Sequence, residues 1–137
     1  MELIADLRAP CRADELFGWI DDLERYPQWM GLVHGARSVP SQPGEGLAWD
    51  VELRARVGPF ARSKRLRMVR TVHEIDRGAV FERHELDGRS HSTWRLTAQI
   101  EEDPDQGGCT LEMGLHYGGS LWTGGCCTTR SRPAAPT

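Results

Sequence analysis

The segment LAWDVELRARV, residues 47–57, decides the fold class. Leu47, Trp49, Val51, Leu53, Ala55 and Val57 alternate with Ala48, Asp50, Glu52, Arg54 and Arg56. Successive side chains of a strand point to opposite faces, so this period of two predicts a strand with one apolar face. The same pattern extends in both directions. Before it, Ala36–Val39 reads as a strand, and Pro40, Pro43, Gly44 and Gly46 mark a turn. After it, Gly58-Pro59 turns the chain into a long strand over 62–75, with Leu66, Met68 and Val72 set against Arg65 and Arg67. Asp76-Arg77-Gly78 is a turn, 79–86 a strand, and Asp87-Gly88 a hairpin signal. Residues 91–101 place Trp94, Leu96, Ala98 and Ile100 on one face. A polar turn at 103–108 leads to Cys109–Tyr117, with Leu111, Met113, Leu115 and Tyr117 in phase.

Toward the N-terminus, ELIADLR (2–8) alternates again, with Leu3, Ala5 and Leu7 on one side. It predicts a half-buried strand that Pro10 ends. Leu16, Phe17, Ile20 and Leu23 then fall on one face of a helix. Asp14 and Glu15 suit the positive end of its dipole. Tyr26-Pro27 is expected to break this helix, with a second helical turn around Gln28–Leu32. Consecutive strands joined by short turns make an antiparallel meander. Its apolar face must be covered, and the N-terminal helical pair covers only part of it. The pattern therefore calls for a long C-terminal helix.

The sequence after Trp122, TGGCCTTRSRPAAPT, has no apolar periodicity and few helix formers, so disorder is expected there. Its Cys-Cys-Thr-Thr-Arg-Ser-Arg-Pro content suits GC-rich DNA read out of frame. The hypothesis is a frame-shifted helix: if the Gly125 codon ends in C and both Cys126 and Cys127 are TGC, the shifted frame gives Leu-Leu-His. Resequencing the locus tests it, and the same tail in an unbroken frame across close relatives sinks it. The expected organisation is one folded domain over 1–122 and a tail over 123–137.

A length of 137 residues suits one domain. With 39% hydrophobic and 27% charged residues the chain reads as globular. A net charge of −3 argues against DNA and other nucleic acids as partners. No run approaches a membrane span. The early acidic residues of MELIADLRAP do not suit a signal peptide, so a cytoplasmic location is expected. Cys11, Cys109, Cys126 and Cys127 read as scattered reduced thiols, since the adjacent pair lacks zinc-site spacing.

An opening strand, a first helix, and then DLERYPQWM (residues 22–30) resemble the START-like helix-grip (SRPBCC) superfamily. Tyr26, Pro27 and Trp29 match the Tyr-Pro-x-Trp motif of its polyketide cyclase/dehydrase and lipid-transport group. The segment VGPFARSKRLRMVRTVHEID (57–76) is also similar to members of that group, and the resemblance covers about residues 1–122. It implies an α+β fold: a seven-stranded antiparallel sheet, an N-terminal helix pair and a C-terminal helix over a cavity. That last helix is missing from the sequence pattern. Tyr26, Pro27 and Trp29 are similar to the family's packing hinge between helix and sheet.

The inward sheet face is expected to hold Trp49, Leu53, Met68, Trp94, Met113 and Tyr117, with Val51, Leu96 and either Phe81 or His84 beside them. Such a wall suits a small hydrophobic molecule held by shape, or simply a filled core. Arg70 is in phase with Leu66 and Met68, where it would bind a carboxylate or enolate oxygen, or else snorkel to the rim. His84 or His91 is a candidate general base. No Gly-x-Ser-x-Gly, phosphate-binding glycine loop or His-Glu-x-x-His occurs, so neither a cofactor nor a metal is implied. The first reading is carriage of a lipid or polyketide-like ligand. The second is a polyketide cyclase or dehydratase using Arg70 or His84. The third is a ribosome-associated, toxin-like interaction through the basic run 62–67.

Overall fold

The computed structural model describes residues 2–118. Seven strands form one antiparallel sheet: β1 (Glu2–Ala9), β2 (Val33–Val39), β3 (Ala48–Val57), β4 (Phe60–Glu74), β5 (Gly78–Arg83), β6 (Trp94–Glu102) and β7 (Cys109–Tyr117). Their spatial order is β1-β7-β6-β5-β4-β3-β2. Five consecutive hairpin pairings give the expected meander, and β1 adds to its far end beside β7. The helix α1 (Ala13–Ile20) and a 3-10 segment (Leu23–Gln28) link β1 to β2. The C-terminal helix, the tail and its proposed frame shift lie outside the described residues, as do Cys126 and Cys127.

Pairing alternation defines the inner face, toward α1. Trp49 lies opposite Met68, Val51 opposite Leu66 and Ala98 opposite Met113. Ala13, Leu16, Phe17 and Ile20 of α1 are buried in the same core. Tyr26 and Phe81 sit at its centre, both with no exposed surface, their rings edge-on at 5.9 Å.

The helical connection departs from expectation. The break falls at Asp21-Asp22 and not at Tyr26-Pro27. Asp22 is extended, and its carboxylate accepts the Glu24 N–H at 2.9 Å, starting a new 3-10 turn. Tyr26 and Pro27 lie within that turn, so the helical turn is at Leu23–Gln28. Tyr26 and Trp29 tie this segment to α1. The Tyr26 hydroxyl donates to the Ile20 carbonyl at 2.8 Å, and Trp29 Nε1 donates to the Trp19 carbonyl at 3.2 Å. Burial raises the Tyr26 phenol well above its ordinary pKa, so it stays a donor. Tyr26→Phe is expected to cost about 1 kcal/mol in urea unfolding, because a buried carbonyl loses its donor. No loss would mean that ring packing alone holds the junction.

β1 is not half-buried. Leu3 and Leu7 face inward, opposite Leu115 and Leu111, yet are 53% and 52% exposed. Among the described residues nothing covers this end of the inner face. β2 starts earlier than expected, with a bulge between Val33 and Gly35, and β5 stops at Arg83. A longer connection over 84–93 replaces the expected tight hairpin. Within it, Asp87 accepts the Arg89 N–H at 2.9 Å, and Gly88 has φ +73°.

Candidate hydrophobic ligand site

Short turns bring the inner-face side chains of β3, β4, β6 and β7 into register. The expected residues Trp49, Leu53, Met68, Trp94, Met113 and Tyr117 are all buried on that face. They divide into two groups. Leu53, Met68 and Trp94 border an apolar recess of about 30 Å³, together with Leu23, Met30, Leu32 and Leu115. Trp49, Met113 and Tyr117 are core residues away from the recess. Trp49 packs edge-on to Phe81 at 5.5 Å, and Tyr117 stacks on Trp94 at 5.1 Å. Met30 and Leu32 escape sequence reading because they sit in an irregular turn, which carries no periodicity. Leu23 and Leu115 were legible as apolar, but not as recess walls.

The recess has no polar lining. Its apolar walls offer water no hydrogen-bond partner. Its wall residue Leu115 lies opposite half-exposed Leu3 on β1. Met30 and Met68 on its walls have unbranched, adaptable side chains.

The two polar candidates do not meet there. Arg70 faces inward, level with Phe81, but Nη1 donates to the Asp21 carbonyl at 3.0 Å. It serves the C-terminal end of α1, where a cation complements the helix dipole. His84 lies on the opposite, outer face, where Nδ1 contacts the Glu45 carboxylate. Phe81, not His84, takes the inward position. His91 is also held elsewhere, with Nε2 at 2.9 Å from Asp87.

The basic run is split by strand alternation. Lys64 lies opposite buried Leu53 on the inner face, whereas Arg65 and Arg67 lie outward. Arg67, one of the cations of the run 62–67, is only 7% exposed. Nη2 and Nη1 grip the two Glu45 oxygens at 2.7 and 3.1 Å, and also donate to the carbonyls of Pro40 and His84. This fork folds the 40–46 loop onto the outer face. It also holds the Glu45 carboxyl down to about 2, chiefly through hydrogen bonds from Arg67.

Among the described residues, Cys11 and Cys109 are free thiols and no helix is long and apolar enough to cross a membrane. Burial raises the Cys109 thiol above its ordinary pKa, which suits a packed side chain rather than a nucleophile.

No family model and no curated protein matches the sequence. Solved structures do resemble it. A structural-genomics target from Deinococcus radiodurans aligns with TM-score 0.65 and 14% identity, over 85% of this chain and 82% of that one. The di-domain ARO/CYC protein StfQ from the steffimycin biosynthetic pathway gives 0.56 and 13%, over 83% of this chain and 35% of that one. Major latex-like protein 151 from Panax ginseng gives 0.54 and 10%, over 85% and 78%. Likeness at these identities shows the fold: an open seven-stranded antiparallel sheet with two helical segments, the helix-grip architecture.

Proposed function

We propose that this chain binds a small hydrophobic molecule, lipid or polyketide-like, against the inner face of the sheet. The observation that carries the proposal is the wholly apolar recess, whose wall residue Leu115 lies opposite half-exposed Leu3 on β1. Drug-sized ligands occupy sites of roughly 300–1,000 Å³, so the recess alone is too small. The ligand spreads along the open strip and displaces the Met30 and Met68 side chains. Hydrophobic burial supplies its affinity, at about 25 cal/mol per Å² before ordering costs.

Carriage is favoured over catalysis because, among the described residues, no general base lines the recess. The cyclase or dehydratase alternative rests on Arg70 releasing the Asp21 carbonyl to meet a substrate oxygen. The ribosomal alternative loses its continuous basic face, since Arg67 is consumed by Glu45 and Lys64 points inward.

Titration with a naphthalene-based fluorescent probe, followed by energy transfer from tryptophan, tests the reading. Saturable one-to-one binding is expected. Leu115→Lys places a charge on the half-buried recess wall and is expected to weaken binding by about tenfold or more, with little change in unfolding temperature. Absence of saturable binding, or equal affinity in a folded Leu115→Lys variant, would overturn the proposal.

A further inference from the structure

The two edges of the sheet are finished differently. At β2, the Glu24 carboxylate accepts the Ser38 N–H at 2.8 Å, so a side chain occupies a donor that another strand would use. The 3-10 segment packs beside it. At β1, eight residues form the other edge, and among the described residues no element flanks them on the side away from β7. This strand carries Leu3 and Leu7 on its inner face and Ile4 on its outer face, all about half exposed. A long, apolar, uncovered edge is a template for another strand.

We propose that β1 is a homodimer interface, pairing antiparallel with β1 of a second copy, Ala5 opposite Ala5. Two-fold symmetry, charge and length of overlap together select this register: centring on Leu7 also sets Asp6 against Arg8, but it pairs only the five residues from Ala5 to Ala9, whereas centring on Ala5 pairs the seven from Glu2 to Arg8. The axis relating two antiparallel copies of one strand stands perpendicular to the sheet, so inner-face residues must oppose inner-face residues. Only registers shifted by whole two-residue steps about Ala5 satisfy this. Centring on Ile4 sets Glu2 against Asp6 of the second copy. Centring on Asp6 sets the two Asp6 carboxylates against each other. Like charges directly opposite destabilise a pair. Centring on Ala5 sets Glu2 against Arg8 twice, Leu3 against Leu7 twice, and Ile4 against Asp6 twice. It joins opposite charges at both ends and buries the exposed leucines in cross-strand contacts.

Within one copy, the charged partners remain able to reach. The Glu2 and Arg8 side chains are 42% and 46% exposed. Arg8 Nη1 contacts Asp103 at 3.0 Å, and Nη2 donates to the Gly107 carbonyl at 3.0 Å. A guanidinium has five donors, enough to keep these and take a second carboxylate. The pairing extends each inner face into the other, so the two uncovered strips become one.

Sedimentation velocity on the full chain, from about 5 to about 200 µM, tests this. A monomer–dimer equilibrium saturating at the dimer is expected. Glu2→Arg places like charges opposite Arg8 and is expected to raise the dissociation constant about tenfold. Arg8→Glu does the same, and Glu2→Arg combined with Arg8→Glu restores the wild-type value. Circular dichroism checks that each variant is folded. Loss of the Arg8–Asp103 contact alone would not be repaired by Glu2→Arg, so the rescue separates the interface from intrachain stability. A monomer throughout the range overturns the proposal. So does a dimer indifferent to Glu2→Arg, a folded double variant that stays dissociated, or association that does not stop at two.

Discussion

Arg67→Ala is expected to lower the unfolding free energy by about 3–5 kcal/mol at neutral pH, the usual cost of breaking a buried ion pair from one side. The variant takes the guanidinium from the Glu45 carboxylate, whose side chain is only 10% exposed and keeps only the Gln42 N–H and His84 as partners, and it removes donors from the Pro40 and His84 carbonyls. The loss need not measure the worth of the pair. Arg67→Met combined with Glu45→Leu replaces both charges with apolar bulk and is expected to recover at least half of it. Urea unfolding of the single and double variants gives the comparison. A cost below about 1 kcal/mol for Arg67→Ala would show that the 40–46 loop contributes little to the fold.

The same fork makes an acid prediction. The folded Glu45 pKa lies at about 2, below its ordinary 4.5. Its contribution is therefore complete above pH 4.5 and is lost as pH falls toward 2. Glu45→Gln should lower stability at pH 7 and flatten the decline across that window. An unchanged acid profile would assign the decline to other carboxylates. Asp103 also sits below its ordinary value, chiefly through the Gln106 N–H, so some slope persists.

The second large effect is at Phe81. Phe81→Ala is expected to cost about 3–5 kcal/mol, the range for a fully buried aromatic truncated without collapse of its surroundings. Its ring meets Tyr26 at 5.9 Å and Trp49 at 5.5 Å, both edge-on. It thereby ties the 3-10 segment to the middle of the sheet. Phe81→Leu keeps most of the volume and should cost well under half as much. Near-ultraviolet circular dichroism, dominated here by five tryptophans, reports whether Phe81→Ala also loosens Trp49. A cost near 1 kcal/mol would mean that the core re-packs around the gap.

The meander was legible because its strands alternate strictly and hairpins between neighbours need no long-range rule. LAWDVELRARV is a strand on both readings, with its start moved from Leu47 to Ala48. β7 runs over Cys109–Tyr117, as its alternation predicts. What sequence could not show depended on partners far along the chain. Arg67 reads as one of a run of solvated cations, and only the distant Glu45 buries it. Leu3 and Leu7 read as half-buried, because alternation reports a strand's two faces and not whether anything covers them. The helix ends at Asp21-Asp22 because Asp22 supplies a local cap. That bond competes with helical continuation more strongly than Tyr26-Pro27 does, five residues on. The candidate site divided along the same line. Phase assigned the inner-face apolar residues correctly. It also put Arg70 inward, but could not foresee that the end of α1 would occupy its guanidinium.

The Glu24–Ser38 contact at β2 has a consequence for assembly. A sheet with two adhesive edges is a bifunctional monomer and can grow without limit, each addition presenting a fresh end. Capping one edge makes the chain monofunctional. Association through the proposed β1 interface then consumes the one open sheet edge among the described residues, and the reaction terminates at two. In the proposed dimer, the Glu24 carboxylate and the 3-10 segment beside β2 would thus separate a discrete pair from an open-ended fibril.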